Sequence, residues 1–542
     1  MLSLRDSTAA VGKFSVQCQR GEENCWVSFG IRRLGWVKVV RRPKRNSPFI
    51  GEAHVDSRLN SSRRQFTLLN KRLSGLETIS ISSEKGRMLK SLNEELLLLS
   101  RPIRESLSKA PYTPPEGSSV SIKSMLLSLL SDSQLEIRDF SLCCAALASA
   151  SESTYNQLFW VPNLLSLAAA SAFKDLSKAY ATMAAGNHDL IKFGELDLDF
   201  KSLPNDKILA IHLIPQLLPL LKDTIKESAI DKSIDGHEIS AASASVPVAY
   251  AIIAAYQFRW FISQVDYPHL GKVCSLVIPC ALTALDHWSS EVKGQGMISL
   301  IYLAKNVNAA EIGWYEDVIL DACCQNIASD DEIWERVVQM SVLMVTFTQK
   351  SNPRSIWYEK LLNEMLSHLE RQPRNKERRV AWLQHIEPLF NGLGLILLSH
   401  FRRLFPLFFR WMHADDDRTV LLVLERIKTI VKLTWIRNSP YIERLVDELV
   451  SLFKEAALKI AREEIRQLVL QTIILIQQSK GSQFKAAWDK HKDDPDLTIF
   501  HHSLIEQQPA MQECDCLRYI TLGSNPFEGR KSKPNSFEGQ NV

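Results

Sequence analysis

The sequence predicts an all-α fold of stacked antiparallel helix pairs, and three observations predict it. Apolar residues recur at three- and four-residue spacing almost throughout, while the period-two alternation of strands is scarce. An apolar helix, an acidic turn and a second helix that opens near a basic residue recur as one unit. That unit returns at a nearly constant interval.

Residues 277–286 read as an apolar first helix, and after a polar turn Glu291-Val292-Lys293-Gly294 opens a second helix reaching about 306. Residues 318–327, the turn Ser329-Asp330-Asp331-Glu332 and the opening Glu335-Arg336-Val337-Val338 repeat the pattern. Residues 358–369 with Arg378-Arg379-Val380 repeat it again, as do 404–411 with Asp415-Asp416-Asp417-Arg418, and 442–458 with 462–477. Marked on Lys293, Arg336, Arg379, Arg418 and Arg462, the steps are 43, 43, 39 and 44 residues. HEAT and armadillo units recur at ~40–47 residues, so the fold class is a HEAT/armadillo-like α-solenoid. An earlier unit has the same form: an apolar helix around Met125-Leu126-Leu127, a polar turn, and a second helix from Ile137-Arg138-Asp139 to Ala150.

Each residue type in the unit has a physical task. Proline in a first helix, as at Pro279 and Pro406, sets its start or bends it around the stack. Acidic residues in the turn lie at the N-terminus of the second helix, where they cap free N–H groups and complement the helix dipole. The basic residue that follows is placed to pair with the acidic turn of its own or the adjacent unit. One such pair is weak; a ladder of them holds register.

Composition divides the rest of the chain. Residues 1–65 carry thirteen Lys/Arg against five Asp/Glu and read as a basic, disordered N-terminal arm. Residues 66–117 hold a helical segment and the Pro-rich linker Ala110-Pro111-Tyr112-Thr113-Pro114-Pro115. The α-solenoid is assigned to 118–480, and 481–542 to a polar, largely disordered C-terminal tail. The whole chain has a net charge of +4, so the body beyond the arm is mildly acidic and offers no global field for nucleic acid.

The first thirty residues lack a continuous apolar run, so no secretory signal is expected. Arg41-Arg42-Pro43-Lys44-Arg45 has the composition of a nuclear localisation signal. The most membrane-like stretch, 241–258, is rich in Ala and Ser, contains Pro247, and reads as a buried solenoid helix. Cys143-Cys144 and Cys323-Cys324 lie in apolar helices where neighbours point to different faces. They read as reduced, buried thiols, which suits a cytoplasmic and also nuclear location.

The spacings G-x-x-x-x-G-K-[ST], H-E-x-x-H and G-x-S-x-G are all missing. No enzyme activity, cofactor, metal or small-molecule substrate is therefore expected. Asn391-Gly392-Leu393-Gly394 reads as a break between helices, and Cys514-Asp515-Cys516 has no second pair at zinc spacing. His491, His501 and His502, with Asp493, Asp494 and Asp496, read as a solvated loop. Trp334, Trp357, Trp382, Trp411 and Trp435 lie in helical patterns and read as core anchors, a type of residue that also serves binding surfaces. The candidate protein-binding residues are Arg371, Arg374, Arg378, Arg379 and Trp382, a basic run beside an aromatic ring that suits nucleic acid or an acidic protein and otherwise reads as a charged loop between helices. In the tail, Asn525-Pro526-Phe527 matches the tripeptide bound by endocytic adaptor modules.

Leu285-Asp286-His287-Trp288, Val292-Lys293-Gly294-Gln295-Gly296, Leu300-Ile301-Tyr302-Leu303, Ala310-Glu311 and Tyr315-Glu316-Asp317-Val318-Ile319-Leu320 resemble the core of the Tti-two family. That family is the second TELO-two-interacting protein, a HEAT/armadillo-repeat subunit of the Triple-T complex, and the resemblance covers roughly 270–480. It implies an adaptor with no active site. Such an adaptor works with the heat-shock-ninety chaperone system in the maturation and stability of phosphatidylinositol-3-kinase-related kinases. The implied partners are proteins, namely the helical-repeat subunits of that complex and the large kinases, with no membrane and no nucleic acid. A scaffold in nuclear transport or trafficking is the alternative that Arg41-Arg42-Pro43-Lys44-Arg45 and the Asn-Pro-Phe tail motivate.

Overall fold

The computed structural model describes residues 24–27, 37–40, 83–114, 120–131, 135–150, 157–185, 204–228 and 246–497. The chain divides into two units, Met1–Glu84 and Lys85–Val542. In the first, β1 (Asn24–Val27) pairs antiparallel with β2 (Val37–Val40), Asn24 opposite Val40 and Val27 opposite Val37. No strand was expected in this arm; Val37, Val39 and Val40 are the β-branched residues that carry its signal. The rest of the arm, read as disordered, lies outside the described residues.

The second unit is helical. Its α-helices longer than four residues, in chain order, are α1 (Ser83–Lys109), α2 (Ile122–Ser128), α3 (Ile137–Ser149), α4 (Asn163–Ala185), α5 (Ile208–Glu227) and α6 (Val248–Ser263). Then follow α7 (Cys274–Leu285), α8 (Ser290–Asn306), α9 (Glu316–Asn326), α10 (Asp331–Thr348), α11 (Ile356–Arg371) and α12 (Lys376–His385). The last are α13 (Glu387–Leu393), α14 (Phe401–Met412), α15 (Asp417–Leu433), α16 (Ile442–Glu455) and α17 (Arg462–Trp488). The repeats marked in the sequence are the pairs α7/α8, α9/α10, α11 with α12 and α13, α14/α15 and α16/α17. The pair α5/α6 precedes them.

First helices pack on first helices and second on second, which makes two rows. One row runs α4, α5, α7, α9, α11, α14, α16, and the other α3, α6, α8, α10, α12, α15, α17. The fold class read from the sequence is therefore the observed one. At the N-terminal end the chain order of the rows reverses. The sequence pairs α2 with α3, but α3 packs on α6 in the second row, and its first-row partner is α4, which follows it. Seven-residue α2 is too short to cover α3, whose Phe140, Cys143, Cys144 and Leu147 are all buried.

The apolar spacing of each helix explains its place. In α16, Ile442, Leu445, Val446, Leu449, Val450 and Phe453 form one buried stripe at i, i+3, i+4 and i+7. In α14, Phe401, Leu404, Phe405, Phe408 and Trp411 do the same, with Pro406 on the exposed side. α6 is buried nearly all round because α3, α5 and α8 enclose it, which accounts for its membrane-like composition. Within it Gln257 Nε2 donates to Leu142 O (3.1 Å) and Arg259 Nη2 to Ser149 O (2.9 Å). Two other stretches, Ile208–Glu227 and Glu387–Met412, are long and apolar enough to cross a membrane, and 56% and 50% of them are buried among other helices.

Breaks have local causes. Pro388 at the start of α13 separates it from α12, and Gly394, at φ +53°, ends α13 in a conformation that side chains resist. The solenoid does not stop at 480. α17 kinks at Gly481 and continues, burying Phe484, Ala487 and Trp488, and Leu497 is buried beyond it. Lys480, at the kink, donates to the carbonyls of Thr434 (2.7 Å), Trp435 and Arg437, which follow the C-terminus of α15. The remainder of the expected tail, 498–542 with its Asn-Pro-Phe and Cys-Asp-Cys motifs, lies outside the described residues. Among the described cysteines, Cys143, Cys144, Cys274, Cys280, Cys323 and Cys324 are free thiols, and burial pushes the Cys323 thiol up to about 12.

Candidate protein-interaction surface

The turns from first to second helix line up along one edge of the stack, where the acidic residues expected as caps meet basic residues of an adjacent unit. Asp416 is the N-cap of α15: it accepts from Thr419 N (2.9 Å) and also pairs with Arg379 of the preceding repeat. Arg379 Nε donates further to Thr419 Oγ1 (3.0 Å). One repeat earlier, Asn375 caps α12 by accepting from Arg378 N (3.1 Å) and reaches back to Asp331 (2.9 Å). Arg378 pairs with Asp331, donates to Ser329 O (2.9 Å) and lies 4.6 Å from the ring centre of Trp334. Ser290 Oγ donates to Asp330 (2.7 Å), and Ala461 N to Asp417 (2.8 Å).

These bonds set the protonation of the edge. The hydrogen bond from Arg378 holds the Asp331 carboxyl below its usual range. Burial works against charge on Asp416, but the bonds from Thr419 and Arg379 prevail and its pKa is lowered. His413 sits between Glu455 (2.7 Å from Nδ1) and Glu448 (2.9 Å from Nε2). Burial opposes charge on this ring as well, yet the two carboxylates outweigh it and its pKa is raised.

The five candidate residues do not form one surface. Trp382 is wholly buried, its ring against Phe390, Phe408 and Trp411, and Arg378 is 5% exposed. Both face inward because α12 lies between α10 and α15, which puts positions four apart on the same packed side. Arg379 is mostly covered by its pairing with Asp416. Only Arg371 and Arg374 are exposed. Arg374 shares a cleft of about 450 Å³ with Pro373, Arg379, Arg410, Trp411, His413, Ala414 and Asp415.

The sequence reading missed Arg410, although a signal was present. Arg371 and Arg410 are basic residues in the last turn of consecutive first helices, where the helix dipole favours positive charge. It also missed Leu458 and Ile460, 92% and 101% exposed in the next turn of the edge. Among the tryptophans read as anchors, Trp334, Trp382 and Trp411 are buried. Trp357 is half-buried and donates to Asp317 (3.0 Å), and Trp435 is 38% exposed.

The stretch that carries the family resemblance has a structural role. His287 Nδ1 accepts from Ser289 N (3.0 Å) and its Nε2 lies 3.2 Å from Ser228 Oγ, while Trp288 Nε1 donates to Ser228 O (3.2 Å). The His-Trp turn thus fastens α7 and α8 to the end of α5. Burial pulls the His287 pKa down to about 4, so the ring is neutral.

First-row helices carry a second ladder. Lys360 pairs with Asp321 (3.1 Å), and Arg403 grips Glu370 through Nε (2.8 Å) and Nη2 (2.7 Å). His491, read as part of a solvated loop, bonds Asp447 (2.7 Å), and Asp494 pairs with Lys454. His501 and His502 lie outside the described residues. Among the described residues no cluster of His, Cys, Asp or Glu is placed to hold a metal ion. A further cleft of about 570 Å³ lies among Tyr112, Phe159, Trp160, Glu291, Glu332 and Arg336. At its wall Glu291 accepts from Gln157 N (2.9 Å) and Tyr256 Oη (2.8 Å); burial nevertheless raises its pKa. These arrangements of fixed charge and exposed apolar groups suit binding to another macromolecule.

No family model matches the sequence. The chain is 54% identical over 419 residues to the uncharacterized Arabidopsis thaliana protein At2g39910, covering 76% of this chain and 94% of that protein. It is 24% identical over 229 residues to human TELO2-interacting protein 2, covering 40% of this chain and 45% of the human protein. Against the rat protein of that name it is 22% identical over 247 residues, covering 42% and 48%. The chain thus matches about half the length of these two relatives. Among solved structures it is similar to Kap95p in a complex with RanGDP, with a TM-score of 0.38 and 13% identity over 72% of this chain and 49% of that one. Importin beta matches with a TM-score of 0.37 and 12% identity over 77% and 51%.

Proposed function

The chain belongs to the same family as the Arabidopsis thaliana protein and is a distant relative of TELO2-interacting protein 2, and from this premise we propose that it is a non-catalytic helical-repeat adaptor. In this reading it is a subunit of a Triple-T-type complex and a co-chaperone in the maturation and stability of phosphatidylinositol-3-kinase-related kinases. The carrying observation is the similarity to TELO2-interacting protein 2, and the two-row stack supports it physically. A stack of repeats offers long continuous edges, and an edge can bury a large area against another helical-repeat protein. Its proposed location is the cytoplasm and the nucleus. The test is affinity purification of the chain at native expression, followed by depletion. Recovery of two further helical-repeat subunits and a large kinase is expected, with kinase abundance falling on depletion; recovery of neither, with unchanged kinase levels, overturns the proposal.

A further inference from the structure

We propose that the turn edge of the last three repeats is a docking strip for an extended peptide segment in which an acidic run adjoins an aliphatic one. The inference deepens the adaptor reading by naming a partner chemistry, and it does not depend on which complex the chain joins.

Three observations carry it. The first is charge without a partner. Arg378 and Arg379 are neutralised by Asp331 and Asp416, whereas among the described residues no ion pair engages Arg371, Arg374 or Arg410. Arg374 and Arg410 line the 450 Å³ cleft, and Arg371 lies one turn before Arg374. The carboxylate of that cleft, Asp415, is exposed in the following turn.

The second is the pair Leu458 and Ile460, almost fully exposed on one short turn. A single exposed aliphatic residue is ordinary; here two flank Lys459. That lysine is fixed, since its Nζ donates to Ala414 O and Asp415 O. Ala461 N, bound to Asp417, fixes the other side. The apolar turn is therefore held against the lip of the cationic cleft.

The third is span. Adjacent packed helices lie ~8–10 Å apart, so the distance from the Arg374 turn to the Leu458 turn is about 20 Å, which roughly six extended residues cover. Charge complementarity selects the occupant. Unpaired arginines attract carboxylates, the exposed leucine and isoleucine take an apolar neighbour, and the Asp415-Asp416-Asp417 run between them disfavours a continuous phosphate backbone.

The test is fluorescence anisotropy of the full chain with a labelled peptide of aspartate and glutamate adjoining leucine and isoleucine. The control peptide carries asparagine and glutamine in place of the acids. The acidic peptide is expected to saturate, and its affinity to fall about tenfold or more in the double variant R374E/R410E and in L458S/I460S, and also in high salt. The control is expected to bind at least about tenfold more weakly. Equal binding of the two peptides, or unchanged binding by both double variants, overturns the strip. Concentration-dependent dimerisation in sedimentation that is lost in L458S/I460S, without peptide binding, assigns the edge to a second copy and also overturns it. The four side chains are exposed, so circular dichroism and melting are expected to be unchanged. If either double variant fails to fold, R374Q/R410Q and L458A/I460A give the same readout. Peptide binding in a chain that recovers no kinase or repeat subunit overturns the co-chaperone reading alone. Undiminished recovery of those partners without peptide binding overturns the strip alone.

Discussion

Asp416 joins two tasks in one carboxylate: it caps α15 and neutralises Arg379 of the preceding repeat. Asp416→Ala removes both and leaves a covered guanidinium unpaired, so a loss of about 3 kcal/mol is expected in urea unfolding. Asp416→Asn, which keeps a cap and loses only the ion pair, should lose clearly less; equal losses would show that the cap contributes nothing. His413 adds a pH dependence of known sign. Its folded pKa is raised by Glu455 and Glu448, so its contribution is complete below the unfolded value near 6.5 and is lost as pH rises through the folded value. The melting temperature is expected to fall as pH rises above about 6.5, and His413→Gln to flatten that part of the profile. The acidic turns were legible because capping needs a particular residue type at a particular place. Trp382 was read both as a core anchor and as a binding residue, and Arg378 was legible as a residue but not as a direction: which side of a helix is buried depends on the two helices that flank it, and α10 and α15 lie apart from α12 in sequence.

At the scale of elements, the pair α7/α8 depends on close approach. A Cβ at Gly296 would lie 2.9 Å from the Cβ of Ala284 and 3.2 Å from Ala281 O, so the two helices touch there almost backbone to backbone. Gly296→Val is expected to force them apart and to cost about 1–3 kcal/mol, read as a lower denaturation midpoint. An unchanged midpoint would mean that α8 shifts freely. The repeats from 277 onward were legible because length, stripe and turn recur together. The pairing at the N-terminal end was not. Both α2 and α4 adjoin α3 in sequence, and only the extent of apolar surface to be covered decides between them. The end at 480 was misplaced for a similar reason: Phe484, Ala487 and Trp488 are buried along one side, but a glycine kink breaks the stripe before they begin.

From α9 onward, the ladder contacts join residues from 33 apart, as in Arg403–Glu370, to 50 apart, as in His385–Glu335. Each tie therefore reaches one repeat and no further. A chain connected in this way bears load in series. Pulled from its ends in an optical trap, the repeat region is expected to yield unit by unit, each rupture releasing about 150 Å of contour for a repeat of this length. One all-or-none rupture of the repeats from α9 onward would show ties there that reach beyond one repeat. An adaptor built so could lengthen under the motions of a large partner and shorten again afterwards, giving up one rung at a time while the rest of its edge stays engaged.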